Sequence, residues 1–285
     1  MDTLTAVTVV GKVPITSGKR STGINMAGPK KSLGQHWLKD RDILGNIADD
    51  ANIGPDDTVL EIGPGLGTLT SELLRRAKKV IAVELDEELA AKLPKQFPGT
   101  SLEVVNQDIL SFDLTRLPEN YVVVANVPYY ITSKIIKLLT TAGNKPRTIV
   151  LLIQKEVAVR LAAQPGDMSI LAVSAQIYAE VELSDVVPAK FFTPPPKVDS
   201  QVVILNTRAE ALVSEQDEKL FFRVVKAGFS AKRKKLRSSI SSGLHISKPE
   251  AEELLKSIGI SPDDRAEQLS LDDWLRLTAA VALTE

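Results

Sequence analysis

The sequence predicts an α/β fold: a mostly parallel sheet covered by helices on both faces, followed by a small all-helical domain. Three observations carry this. Short, almost continuously apolar segments alternate with helix-patterned ones between residues 58 and 153, as strands buried on both faces do. A glycine-rich turn, Gly63-Pro64-Gly65-Leu66-Gly67, joins the first of these segments to a helix start at Thr68, the strand–loop–helix order of a nucleoside-binding unit. Beyond about Leu212 strand patterns stop and amphipathic helical ones take over.

Residues 1–28 sustain no helical or strand period and are expected to form a disordered tail, or in part to precede a physiological start at Met26. Asp40 is placed to cap a helix through Ile43, Leu44 and Ile47, ended by Asn52-Ile53-Gly54-Pro55. Strands are expected at 58–62, 79–84, 101–105, 121–125 and 147–153, with helices at 67–76, 86–96, 132–140 and 154–161. Residues 170–178 are apolar and fit helix or strand. Two closing strands at 181–187 and 201–205 bring the sheet to seven.

Between the closing strands, Phe191 to Ser200 contains three consecutive prolines and cannot join a central strand. It is either a rigid connector or, through Phe191 and Phe192, a wall for a flat ligand. Helices follow at 215–228, 232–241, 248–258 and 271–282, with Ser247 and Ser270 as N-caps. The expected division is a tail (1–28), an α/β domain (29–210) and a helical domain (211–285).

Composition narrows the chemistry. The chain of 285 residues has no cysteine and two histidines, so a disulfide framework and a thiolate or histidine metal site are not expected. No apolar run approaches the roughly 20 residues that span a bilayer. Net charge is −1, yet Lys219 to Pro249 holds nine Lys or Arg and no acid. A solvated helix face is the plain explanation of such a run; the absence of any acid over thirty residues favours a polyanion-docking surface instead. Lys232, Arg233, Lys234, Lys235 and Arg237 crowd its centre and are the candidate contacts.

The glycine loop permits close backbone approach to a ligand at Gly63 and Gly65. Glu84 ends the second strand, where an acid commonly accepts from ribose hydroxyls. Asp108 ends the third and is placed to accept an adenine amino group. Asn126-Val127-Pro128-Tyr129 closes the fourth. There the Asn126 carbonyl and the Val127 backbone carbonyl can accept both N–H groups of an exocyclic amine. Pro128 stiffens the turn, Tyr129 offers a stacking face, and Phe192 is the candidate for the opposite face. Gln35 and His36 either cap local backbone or fold over a ligand's carboxylate end.

Loop, acid, acid and Asn-x-Pro-Tyr in this order resemble a class I S-adenosylmethionine (SAM) methyltransferase acting on a base amine. The likeness narrows with Leu33-Gly34-Gln35-His36-Trp37-Leu38, Gln154-Lys155-Glu156-Val157, Phe192 to Ser200, and Arg265-Ala266-Glu267. Across residues 29–282 the chain resembles the ribosomal small-subunit RNA adenine dimethyltransferases of the KsgA type. That resemblance implies a Rossmann-like fold and SAM as methyl donor, held at His36, Leu38, Gly63, Glu84, Asp108 and Asn126. It further implies dimethylation of N6 on two adjacent adenosines near the 3′ end of 16S-type RNA, by a cytoplasmic monomer acting on the assembling 30S particle. Two other readings share parts of the pattern: a large-subunit (23S) RNA adenine methyltransferase of the macrolide-resistance type, and an assembly factor that kept the fold without the activity.

Overall fold

The computed structural model describes residues 34–231 and 233–284; the expected tail and Lys232 lie outside them. Its central sheet has seven strands in the order β4-β3-β2-β5-β6-β9-β7. These are β2 (Thr58–Ile62), β3 (Lys79–Glu84), β4 (Leu102–Asn106), β5 (Val122–Asn126), β6 (Thr148–Gln154), β7 (Ala179–Val187) and β9 (Ser200–Thr207). From β4 to β6 every pairing is parallel, and β9 enters antiparallel between β6 and β7. The chain runs outward from β2 through β3 to β4, then returns to place β5 and β6 on the other side. The strand order therefore reverses between β2 and β5, and open α/β sheets bind ligands at the carboxyl ends of strands at such a point.

Alternation along each strand splits the side chains between two cores. Leu60, Ile62, Ile81, Val83, Val123, Ala125 and Leu151 face one side, with helices α4 (Thr132–Thr141) and α5 (Lys155–Leu161). Val59, Val80, Val122, Val124, Val150 and Leu152 face the other, with α1 (Arg41–Asp50) and α2 (Thr68–Leu73). Asp40 caps α1 as its sequence position predicts, accepting from the N–H groups of Asp42 and Ile43. Helix α3 (Glu87–Gln96) follows β3 and starts at Asp86, whose carboxylate accepts from the Glu88 N–H.

Residues 170–176 form helix α6 (Ile170–Gln176), capped by Ser169. A two-residue strand, β1 (Trp37–Leu38), pairs antiparallel with β8 (Phe192–Thr193), so Leu38 lies opposite Phe192. This short ribbon clips the segment before α1 to the proline-rich loop.

The C-terminal helices are α7 (Glu218–Phe229), α8 (Leu236–Leu244), α9 (Lys248–Ser257) and α10 (Leu271–Ala282). Ser247 and Ser270 head α9 and α10 with complete capping boxes. Their core includes Phe221, Val224, Trp274 and Leu277, but also Met168, Ala172, Val173 and Ile177 from around α6. The helical part shares its core with α6.

Helix α8 differs from expectation, beginning at Leu236 and not at 232. The N–H groups of Leu236 and Arg237 donate to the carbonyls of Asp264 and Pro262, which fixes the first turn from a distant loop. Cations inside a helix's first turn oppose the helix dipole, and Arg233 and Lys234 stand ahead of it.

Candidate active site

At the carboxyl ends of β2, β3 and β5 the structure opens a cleft of about 1020 Å³, its open mouth included. One wall is the glycine loop, where Gly63, Gly65 and Gly67 all have positive φ (66°, 56° and 78°). A Cβ on Gly63 would meet nothing within 4 Å, whereas one on Gly67 would lie 2.7 Å from Leu93 Cδ1. Gly63 therefore presents bare backbone to the cleft, and Gly67 lets α3 close against the loop from behind.

Glu84 lines the cleft and is 5% exposed. Its carboxylate accepts from the N–H of Gly65 at 3.0 Å and of Asp86 at 2.9 Å. Burial raises its pKa; the hydrogen bonds from Asp86 and Gly65 counter part of that rise. The same acid thus ties the glycine loop to the end of β3 and keeps lone pairs for a ligand.

Glu61, inside β2, is a further functional candidate. It lines the cleft at 1% exposure. Among the described residues, neither of its carboxylate oxygens has a hydrogen-bond partner, nor does the Thr70 hydroxyl. Burial pushes its pKa from 4.5 to about 8, with the nearby Glu84 adding to the rise; the approach of Thr70 offsets part of it. The available signal was a carboxylate within an otherwise apolar strand.

Asn126 and Pro128 line the opposite wall, together with Tyr129. Asn126 Nδ2 donates to the His36 carbonyl at 3.2 Å, which leaves Oδ1 as its acceptor. The Tyr129 hydroxyl shares a 2.8 Å hydrogen bond with Ser200 Oγ, and its ring stacks on His36 with centroids 6.0 Å apart and planes 21° apart. His36 Nδ1 donates to the Pro194 carbonyl at 2.7 Å. His36, Asn126, Tyr129 and the proline-rich loop are thereby linked into one rim by hydrogen bonds and ring stacking. Leu38 lines the cleft too, its backbone carbonyl accepting from the Thr68 hydroxyl at 2.9 Å.

Two expected residues do not line the cleft. Phe192 is 3% exposed and packed in the core beside α1 and α2. Its pairing with Leu38 in the β1–β8 ribbon turns both side chains inward, so Phe192 does not stand open across the cleft from Tyr129. Asp108 is exposed and does not line the cleft, although its neighbours Gln107 and Ile109 do. One of its oxygens accepts from the Leu110 N–H and caps the short turn Ile109–Ser111. Conversely, Leu85 (50% exposed) and Tyr130 (61%) line the cleft as large exposed apolar side chains, the kind of surface a flat ligand covers.

Of the basic candidates, Lys235 pairs with Asp263 at 3.0 Å, and Arg237 with Glu252 at 3.3 Å and Asp263 at 3.2 Å. Arg233 and Lys234 are exposed.

Comparison with known proteins agrees with this geometry. A family model described as ribosomal RNA adenine dimethylase matches residues 26–283. The chain is 43% identical over 255 residues to ribosomal RNA small subunit methyltransferase A of Dehalococcoides mccartyi (strain CBDB1), covering 87% of each. It is 40% identical over 265 residues to the protein of that name from Bacillus cytotoxicus, covering 88% of this chain and 91% of the other. Among solved structures it is similar to a dimethyladenosine transferase from Plasmodium falciparum, with TM-score 0.74, 30% identity, and 85% and 96% of the two chains covered. It is likewise similar to the 23S rRNA methyltransferase ErmE, with TM-score 0.73, 31% identity, and 86% and 99% covered. With a glycine-walled cleft facing Asn126-Val127-Pro128-Tyr129, and a family match over nearly its whole length, the chain belongs to the ribosomal RNA adenine dimethylase family.

Proposed function

We propose that this protein dimethylates N6 of two adjacent adenosines in the 3′-terminal hairpin of small-subunit ribosomal RNA, with SAM as methyl donor, on the assembling particle. One observation carries the reading: the Asn126-to-Tyr129 turn and the glycine loop face each other across a single cleft. The cleft fits the donor by its own chemistry. Gly63 offers backbone with no side chain in the way, Glu84 offers a buried acceptor for ribose, and Asp108 at the rim offers an acceptor for the adenine amino group. His36 and Leu38 close the end nearest β1. When bound, SAM supplies a methyl group already activated on a sulfonium.

The protein's part is to prepare the amine. The N6 lone pair of adenine is delocalised into the ring and is a poor nucleophile. Asn126 Oδ1 accepts one N–H and the Val127 backbone carbonyl the other, which favours a pyramidal nitrogen. Because Nδ2 is held by His36, Oδ1 is oriented before substrate arrives. Tyr129, anchored at its hydroxyl by Ser200, offers a face worth roughly 1–3 kcal/mol to a stacked base. The base must leave its helix to reach this turn.

Arg233 and Lys234, exposed ahead of α8, reach RNA phosphates, while Lys235 and Arg237 pair first with Asp263 and Glu252. Nucleoside mass spectrometry of small-subunit RNA incubated with protein and SAM tests the function. N6,N6-dimethyladenosine is expected; its absence while SAM binds normally would overturn the proposal.

A further inference from the structure

The chain contains seven phenylalanines, two tryptophans and four tyrosines. All of them fall within the described residues, and twelve of the thirteen are buried or half-buried. The exception is Tyr130, 61% exposed where it lines the cleft. A single exposed apolar side chain is ordinary on a protein surface. What separates this one is its place, directly after Tyr129, the ring to which the target base is assigned.

The local backbone keeps the two rings apart. Tyr129–Ile131 is one turn of 3-10 helix behind Pro128. At three residues per turn, neighbouring side chains leave such a turn about 120° apart, from Cα atoms about 3.8 Å apart. Tyr129 is held by Ser200 at its hydroxyl and by His36 across its ring. Tyr130 lies instead beside Gly34, where a Cβ would stand 3.6 Å from Tyr130 Cδ1, 3.7 Å from its Cε1 and 3.7 Å from Pro128 Cβ. Gly34 and Pro128 thus back one edge of the ring, and the rest of it is open.

An adenosine that turns out of its helix to reach Tyr129 deprives its neighbour of a stacking partner. In the proposed substrate that neighbour is itself an adenosine to be modified. An open aromatic face beside the ring that receives the target replaces the lost stack. Because every base has a π-face, such a platform accepts whichever nucleotide stands next to the target.

We propose that Tyr130 is the stacking platform for the nucleotide adjoining the target adenosine, so that Tyr129 and Tyr130 hold two consecutive bases during each transfer. This rests on the substrate reading given above. Tyr130 is a positioning residue: it stabilises the opened RNA from which the amine reaches Asn126, and it meets neither the amine nor the methyl group.

The test uses the full chain and undermethylated small subunits. Tyr130→Ala should lower kcat/KM for methyl transfer by about 5–100-fold, the loss of one stacked base. Tyr130→Phe keeps the face and should restore the parent rate. SAM affinity by calorimetry and the melting temperature should hold in both variants. Particles reconstituted with a synthetic 3′ segment, in which one of the two adenosines is an abasic ribose, give the direct readout. On the remaining adenosine the parent should fall to the level of Tyr130→Ala, and the two losses should not add. Equal rates for parent and Tyr130→Ala, a Phe variant as slow as the Ala variant, SAM affinity that falls with the ring, or additive losses on the abasic particles would each overturn the inference. Absence of label on intact small subunits with the parent protein would instead overturn the substrate reading, and the inference with it.

Discussion

The side-chain amide of Asn126 donates to the backbone carbonyl of His36, 90 residues earlier, at 3.2 Å. The bond ties the end of β5 to the segment that leads into β1, and it fixes the orientation of the Asn126 amide. An amide oxygen accepts and never donates, and accepting is what an amine needs from it.

Asn126→Ala should accordingly lower methyl transfer by about 10–100-fold, the loss of one aligned acceptor worth about 1.4–3 kcal/mol. Its melting temperature should change little, since Asn126 sits at a strand end and only partly buried. Turnover measured with labelled SAM, beside a thermal melt, checks both. Near-normal turnover would contradict the amine-positioning role.

Tyr129→Phe isolates the Ser200 anchor. The ring remains, but the 2.8 Å hydrogen bond that fixes it is lost. A neutral hydrogen bond worth about 0.5–1.5 kcal/mol predicts a fall in methyl transfer of about 2–10-fold, and Ser200→Ala should match it. Tyr129→Ala, which removes the stacking face as well, should fall further. Equal rates for the Phe and Ala variants would show that the face contributes nothing.

Replacing Glu84 with Ala should weaken SAM binding by roughly 1.5–3 kcal/mol, the range of a hydrogen bond to a charged group. The same change frees the Gly65 N–H from its acceptor, which adds loop disorder to the lost contact. Calorimetric titration with SAM reads the effect, and an unchanged affinity would remove Glu84 from the ribose site.

Glu61 makes stability depend on pH. Its folded pKa of about 8 lies above the ordinary 4.5, so between those values the folded state holds a proton that the unfolded state has released. Its contribution is complete below the unfolded value and is lost as pH rises through about 8, with a slope of up to about 1.4 kcal/mol per pH unit. Glu61→Gln, which mimics the protonated carboxyl, should flatten unfolding free energy against pH between about 5 and 8. Urea titrations across that window decide it; parallel curves for parent and variant would mean that Glu61 is ionised in the folded protein.

Much of this cleft is legible in the sequence. Gly63, Gly65, Glu84, Asn126 and Tyr129 follow strand ends that hydrophobic alternation locates to within about a residue, and a parallel sheet gathers those ends on one side. What escaped the sequence depends on contacts between distant segments. The Leu38–Phe192 pairing buries a phenylalanine that local sequence leaves on a loop. The start of α8 is set by carbonyls of Pro262 and Asp264. The core shared by α6 and the C-terminal helices follows from Met168, Ala172 and Val173 facing them, which apolar composition alone left open between helix and strand.

One cleft transfers methyl groups to adenine amines of small-subunit RNA. Labelled-methyl transfer to undermethylated small subunits, large subunits and DNA, run side by side with the parent and Asn126→Ala, tests it most directly. Label is expected on small-subunit RNA alone, recovered as N6,N6-dimethyladenosine and reduced about 10–100-fold in the variant. Label on large-subunit RNA or DNA instead, or equal transfer by both proteins, would contradict it.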